Sequence, residues 1–174
     1  MVESQRANEI QFKGVVESRD DVKPLLIKPG DGVLVVRKIP RLFILLCPSG
    51  CGEEVILNLD PRVGPAWRFY KKRGKITLYP SVIRESGCYS HFIVWYEKIY
   101  WCDYEDLWGD NPDNVELDKK TLERLEEGKP LYYFDVAENI SELPWEVLLS
   151  FRRHVRTGKA IEGFGKNRGI FKKK

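Results

Sequence analysis

The stretch LFILLCPSGCGEEVILNL (42–59) contains two apolar runs separated by a segment that favours a turn. In the second run, Val55, Leu57 and Leu59 alternate with other side chains. Alternation with a period of two is typical of a strand that buries one face. Residues 48–50 between the two runs are proline, serine and glycine, which are common in turns. The stretch therefore predicts two neighbouring strands joined by a short turn.

Similar short runs, rich in aromatic and β-branched residues, occur on both sides of this stretch. They are VLVV (33–36), AWRFYKK (66–72), ITLYP (76–80), HFIVWY (91–96) and KIYWC (98–102). Glycine- and proline-containing segments separate most of them, as expected between strands. Short strands at close spacing indicate an antiparallel sheet.

The pattern becomes helical towards the C-terminus. The segment 117–128 offers Asp118 as an N-cap and ends on a glycine, and the segment 141–158 carries an apolar stripe with Pro144 in its first turn. His154 lies near the end of this second helix, where an imidazole complements the helix dipole. We therefore predict an α+β fold. It comprises a mainly antiparallel β-sheet domain with cysteine and histidine residues at strand ends, followed by C-terminal helices.

Changes in composition divide the chain into four predicted segments. Residues 1–24 are polar and predict a flexible N-terminal lead-in. Residues 25–104 form the predicted β-rich domain, and residues 105–158 form the predicted helical region. Residues 159–174 are rich in glycine and lysine and predict a basic, flexible tail.

The overall composition is that of an ordinary globular protein, with 43% hydrophobic and 32% charged residues. The formal net charge of +3 is small, and the chain lacks the basic stripe that single-stranded nucleic acids require. No run approaches the roughly 20 apolar residues of a membrane span, and the N-terminal residues do not form a signal peptide. We therefore expect a cytoplasmic protein with neither a membrane nor a nucleic-acid partner, whose thiols stay reduced.

Five candidate metal ligands lie at predicted strand ends or in turns. They are Cys47, Cys51, Cys88, His91 and Cys102. Zinc takes four thiolate or imidazole ligands in a tetrahedron, and structural sites often join two knuckles from separate loops. Four of the five residues therefore predict a zinc site, although the spacing does not decide which four. The alternative interpretation is that the cysteines are small buried hydrophobic residues.

The same residues also allow a catalytic interpretation. Cys88 or Ser90 could act as a nucleophile, with His91 as its general base. Adjacent residues on a strand face opposite ways, so a pair formed by Ser90 and His91 has poor geometry. Ser81 reaches His91 only if the fold brings the two residues together.

The segment 30–102 resembles the BubE family of small bacterial proteins. The matching stretches are LLCPSGCGEEVILNL (45–59), PAWRFY (65–70), ITLYPSV (76–82), GCYSHFIV (87–94) and IYWC (99–102). Genes of this family neighbour those for a ubiquitin-like protein, a ThiF-type E1 enzyme and an E2-like protein. Family members commonly carry a further cysteine in the first knuckle, where this chain has Ser49.

The resemblance implies a component of a bacterial ubiquitin-like conjugation pathway, with the ubiquitin-like protein and the E1- and E2-like enzymes as partners. One form of this role is a zinc-binding accessory or adaptor protein. The other is a peptidase-like hydrolase or acyl-transfer enzyme that processes or removes the ubiquitin-like protein. In that enzyme Ser81, Ser90 or Cys88 would be the nucleophile and His91 the base. Ser81, Ser90 and His91 all match the family pattern.

Overall fold

The chain divides into two compact units, Met1–Leu107 and Trp108–Lys174. The computed structural model describes residues 6–102 of the first, here called the β unit, and residues 114–174 of the second, here called the helical unit. The predicted boundary between residues 104 and 105 lies outside the described residues. The predicted fold class is confirmed, since the β unit is built from mainly antiparallel sheets and the α-helices lie in the helical unit.

The strands of the β unit follow one another with short connections. They are β1 (Gln11–Val16), β2 (Asp31–Arg37), β3 (Ile39–Leu46), β4 (Glu54–Asn58), β5 (Arg68–Lys72), β6 (Lys75–Tyr79), β7 (Val82–Ile83), β8 (His91–Trp95) and β9 (Lys98–Trp101). One sheet has the order β1-β2-β3-β4, β5 pairs with β6, and a further sheet has the order β7-β8-β9. All these pairings are antiparallel except that of β1 with β2.

The stretch 42–59 forms the β3–β4 hairpin that its alternation predicts. Phe43 pairs with Leu57, and Leu45 pairs with Val55, so their side chains share one face. These four residues belong to the buried core of the β unit. The same core contains residues from the other sheets: Ile76, Leu78, Val82, Phe92, Val94, Ile99 and Trp101. Burial of one face thus fixes the register of the hairpin, because a shift by one residue would expose the whole apolar set.

The predicted flexible lead-in needs correction. Strand β1 pairs in parallel with β2, and Ile10 just before it is 2% exposed. Short 3₁₀ helices follow at Arg19–Asp21 and Lys23–Leu25. Local signals are weak here because the partner of β1 lies about 20 residues further along the chain. This segment therefore contributes to the sheet and to the core.

The helical unit combines three α-helices with a small sheet in residues 114–174. Its elements are α1 (Val115–Glu126), β10 (Leu131–Tyr132), α2 (Tyr133–Ile140), α3 (Pro144–Arg156), β11 (Ala160–Glu162), a 3₁₀ turn (Gly165–Asn167) and β12 (Ile170–Lys173). The sheet has the order β10-β12-β11. The sequence predicts α1 and α3 but neither α2 nor these strands.

Two details of this unit correct the sequence predictions, and a third extends them. Asn114 caps α1 by accepting from Leu117 N–H, whereas the sequence predicted Asp118 as the cap. The segment predicted as a flexible tail contains β11 and β12, and Phe171 within it is fully buried against Phe151. His154 lies in the last turn of α3, as predicted, and it is buried there, which lowers its pKa.

None of the helices in the described ranges is long and apolar enough to cross a membrane.

Candidate active site and three-cysteine cluster

Two turns of the β unit lie side by side and carry the candidate residues. The turn between β3 and β4 contains Cys47 and Cys51, and the turn between β7 and β8 contains Cys88. Cys47 N–H donates to Glu53 O at 2.8 Å, which closes the first turn. The sulfur atoms of Cys47 and Cys88 lie 3.7 Å apart, so the two turns are in direct contact.

Ser81, just before β7, and His91, the first residue of the central strand β8, form a hydrogen-bonded pair. Ser81 Oγ lies 3.0 Å from His91 Nε2. Residue Ile83 is paired with His91 across β7 and β8, and Ser81 lies two residues before Ile83. Ser81 is therefore a diagonal neighbour of His91 on one face, and such neighbours are within reach of a long side chain. Both residues are partly exposed, so a substrate can reach them.

This pair has the chemistry of a nucleophile and its general base. When Nε2 of His91 is unprotonated, it can accept the proton of the Ser81 hydroxyl and activate its oxygen for attack. Within the described ranges no other hydrogen bond to the His91 ring is present, so this lone pair has no competing donor. The Cys102 backbone N–H donates to His91 O at 2.9 Å, which fixes the main chain behind the ring.

Three cysteines form a cluster beside this pair. The sulfur atoms of Cys47, Cys51 and Cys88 all lie within 4.8 Å of one another. Cys47 is fully buried, Cys88 is partly exposed and Cys51 is exposed, so the cluster opens to solvent on one side. Such an arrangement of thiols can hold a metal ion.

Two serine hydroxyls contact the sulfur atoms of the cluster. Ser49 Oγ lies 3.2 Å from Cys47 Sγ, and Ser90 Oγ lies 3.2 Å from Cys88 Sγ and 3.7 Å from Cys47 Sγ. Burial opposes the ionisation of Cys88, but hydrogen bonds with Ser49 and Ser90 outweigh it and lower its pKa to about 6. Burial dominates at Cys47 and raises its pKa. Cys88 is therefore the more acidic of these two neighbouring thiols.

Arg84 supplies a positive charge close to the cluster. Its guanidinium pairs with Glu53, and its side chain is only 14% exposed. Burial opposes the charge of Arg84, but the hydrogen bond with Glu53 and the charge of its carboxylate outweigh burial and raise the pKa of Arg84. Nη1 of Arg84 is buried without a hydrogen-bond partner among the described residues. The sequence does not indicate a role for Arg84 or Glu53. Arg84 follows β7 and Glu53 precedes β4, and no local pattern shows that the two side chains meet.

The structure separates the predicted site residues into two groups. Cys47, Cys51 and Cys88 come together, whereas His91 and Cys102 do not belong to this cluster among the described residues. His91 contacts Ser81 instead. Ser90, the other candidate nucleophile, is 7% exposed and contacts the sulfur atoms. Proximity alone therefore favours Ser81 over Ser90 as the partner of His91.

Comparison with curated proteins and with solved structures finds no match. A family model does match, over residues 19–102, and it describes the bacterial ubiquitination-like system serine protease BubE. The matched residues include the Ser81–His91 pair and all three clustered cysteines. Residues 1–18 and the entire helical unit lie outside the match. Over residues 19–102 the chain therefore matches the BubE family, which confirms the resemblance seen in the sequence.

Proposed function

We propose that the protein is a serine-type peptidase of a bacterial ubiquitin-like system, with Ser81 as nucleophile and His91 as general base. The observation that carries this proposal is the 3.0 Å contact between Ser81 Oγ and His91 Nε2, two residues that are both partly exposed. The description of the matched family as a serine protease supports the same reaction class. Cys88 and Ser90 are weaker candidates because they contact each other and Cys47.

The reaction would proceed through an acyl-enzyme. Ser81 Oγ attacks the carbonyl carbon of an amide or ester, and His91 Nε2 takes the hydroxyl proton. The bond to the leaving group breaks, and His91 donates the proton to the departing nitrogen or oxygen. A water molecule then attacks the acyl carbon and His91 takes its proton. The bond to Ser81 Oγ breaks, His91 returns the proton to Oγ, and the carboxylic acid leaves.

The substrate we propose is the C-terminal end of the ubiquitin-like protein, either in a precursor or in a conjugate. This assignment rests on the family and its ubiquitination-like system. The E1- and E2-like enzymes of the same system are the further partners we propose. The small net charge of +3 supports protein partners over nucleic acids.

A second candidate function is that of a zinc-binding accessory or adaptor protein. The three-cysteine cluster favours it, because close thiols of separate turns are typical of structural zinc sites. An adaptor would bind the ubiquitin-like protein equally well with or without Ser81. Affinity measured for wild type and Ser81→Ala, together with cleavage, therefore separates the two functions.

The direct test uses a precursor of the ubiquitin-like protein that carries a C-terminal extension. We expect Ser81→Ala and His91→Ala each to lower kcat/KM by at least about 10³-fold, because each variant removes one half of the activated nucleophile. Ser86→Ala is the matched control, since Ser86 is exposed in the turn between β7 and β8 and forms no hydrogen bond with Ser81 or His91 in the described part of the chain. Unchanged cleavage by Ser81→Ala would exclude Ser81 as the nucleophile.

A further inference from the structure

We infer that Cys47, Cys51 and Cys88 bind one zinc ion as thiolates, and that this ion holds the turn before β8 so that His91 stays within reach of Ser81. The second half of this inference rests on the proposed peptidase function. The first half concerns the metal site alone and stands independently of it.

The spacing of the sulfur atoms fits a shared metal ion. Two thiolates bound to one tetrahedral zinc at about 2.3 Å lie about 3.8 Å apart. Cys47 Sγ and Cys88 Sγ are 3.7 Å apart, and Cys51 Sγ lies within 4.8 Å of both. A disulfide would require about 2.05 Å between two of them and would leave the third thiol unused. The three-way grouping therefore favours a metal over a disulfide.

The surroundings suit thiolates bound to a divalent cation. Three thiolates and one Zn²⁺ carry a net charge of −1, and the buried guanidinium of Arg84 offers the compensating charge. Its unpartnered Nη1 is consistent with an anionic neighbour that the protein atoms alone do not supply. The hydroxyls of Ser49 and Ser90 can donate to the sulfur atoms, as outer-shell groups commonly do at metal sites.

Zinc is the metal that best fits these ligands. Thiolates are soft ligands that select zinc, copper(I) or iron–sulfur clusters over calcium and magnesium. The Cys51 side of the cluster is exposed, so water can complete a tetrahedron there. Neither Cys102 nor His91 is required, since three thiolates and water make up the four ligands.

The ion would act on the catalytic pair through the chain between Cys88 and His91. Ser90 lies between them, its hydroxyl contacts two of the sulfur atoms, and its backbone O accepts from Arg84 N–H at 2.9 Å. His91 follows directly as the first residue of β8. Cys88 and the ion are thus positioning elements, whereas Ser81 and His91 are the catalytic residues.

The metal site is tested by elemental analysis of full-length protein purified under reducing conditions without chelator. We expect about one zinc per chain. Cys51→Ser should lose most of the zinc, and Cys102→Ser should keep it. Cys51 is chosen because it is exposed, whereas a substitution at buried Cys47 can also prevent folding. Cobalt(II) added to metal-free wild type should give thiolate-to-metal charge-transfer absorption, which Cys51→Ser weakens.

Three results would overturn the metal assignment. The first is that wild type holds no zinc and gives no cobalt absorption. The second is that Cys51→Ser retains as much zinc as wild type. The third is that Cys51→Ser and Cys102→Ser lose equal amounts of zinc. Reduced, metal-free wild type is prepared in parallel, so that oxidised thiols do not mimic a failure to bind.

The positioning role is tested by steady-state cleavage with and without the metal. We expect chelation to lower kcat by about 10-fold or more with little change in KM, because His91 loses its position while the substrate surface remains. Restored zinc should restore kcat. If zinc binds but chelation leaves kcat unchanged, the positioning role is wrong and the peptidase proposal stands. If zinc binds but no cleavage occurs, the peptidase proposal and the positioning role both fail, while the metal site stands.

Discussion

The two units each hold a histidine whose Nε2 lies 3.0 Å from a hydroxyl, yet the two pairs have different chemistry. In the β unit His91 meets Ser81, and in the helical unit His154 meets Thr121. His154 Nε2 also lies 3.0 Å from the carbonyl oxygen of Asp118, which can only accept a hydrogen bond. Nε2 of His154 must therefore carry the proton, and it cannot accept one from Thr121.

Burial strengthens the contrast. His154, Thr121 and Ser150 are all buried, and Thr121 Oγ1 also contacts Ser150 Oγ at 2.7 Å. Ser150 donates in turn to Asp118, whose carboxylate is bound by Arg153. No atom of this network is among the buried side-chain nitrogen and oxygen atoms that lack a partner in the described residues, as a stable interior requires. The Ser81–His91 pair is partly exposed and leaves its lone pair available, so the same distance serves stability in the helical unit and, in the function we propose, reactivity in the β unit.

The largest effect that separates the two histidines is on cleavage. We expect His91→Gln to abolish activity, with a loss of at least about 10³-fold in kcat/KM. His154→Gln should leave kcat/KM within about 2-fold of wild type, because His154 carries no base function. Initial rates on the same precursor give both values. Comparable losses in the two variants would contradict the distinction drawn from the Nε2 contacts.

The second effect concerns the stability of the helical unit. Asp118→Ala should lower the free energy of unfolding by about 3 kcal/mol, because it leaves the Arg153 charge largely buried without its partner. Glu116→Ala is the matched control on the same helix, where Glu116 is 82% exposed in its pair with Lys120. That control should change the free energy by less than about 0.5 kcal/mol. Urea denaturation followed by far-ultraviolet circular dichroism measures both, and equal changes would refute the role of burial.

The predictability of the two units differs for a physical reason. The strands of the β unit carry local alternation, so the runs at 42–46 and 91–96 were recognised from sequence. Strand β12 was not recognised, because its pattern IFKK is short and its lysines resemble a solvated tail. Phe171 stacks there on Phe151 of α3, and no local pattern reveals that contact.

The candidate site shows the same limit. Cysteines in neighbouring turns could be grouped from their positions at strand ends, and three of the five predicted ligands do meet. The choice of Ser81 as the partner of His91 depends on the register of β7 against β8. Register between strands is a property of tertiary packing, and a sequence specifies it only through the full set of buried faces. For this reason Ser81 and Ser90 remained alternatives until the fold was known.

A smaller effect tests where α1 begins. Asn114→Ala should lower the free energy of unfolding of the helical unit by about 1 kcal/mol, because Leu117 N–H loses its side-chain acceptor. Lys119→Ala, an exposed position of the same helix, should have an effect below about 0.5 kcal/mol. Urea denaturation gives both values. A negligible effect of Asn114→Ala would indicate that the helix is capped elsewhere.

The smallest effect is a pH dependence that belongs to His154. Burial lowers the pKa of His154, and the nearby positive charges of Lys159 and Arg153 lower it further. The carbonyl and the charge of Asp118 oppose this shift. In the unfolded chain the same imidazole binds a proton at about pH 6.5. Below that value the unfolded state therefore holds more protons than the folded state, and the free energy of unfolding falls until the pH reaches the folded pKa.

This dependence should appear as a gradual loss of stability of the helical unit as the pH falls below the unfolded pKa of about 6.5. His154→Gln should flatten it, since glutamine keeps an N–H donor for the Asp118 carbonyl but does not titrate. Asp118 does not add to the slope in this range, because its own pKa is lowered and its contribution is lost only below its unfolded value of 3.8. His91→Gln is the matched control, because it removes a histidine from the β unit and should leave the slope of the helical unit unchanged. An equal slope in His154→Gln would place the titrating group elsewhere and would weaken the contrast between the two histidines.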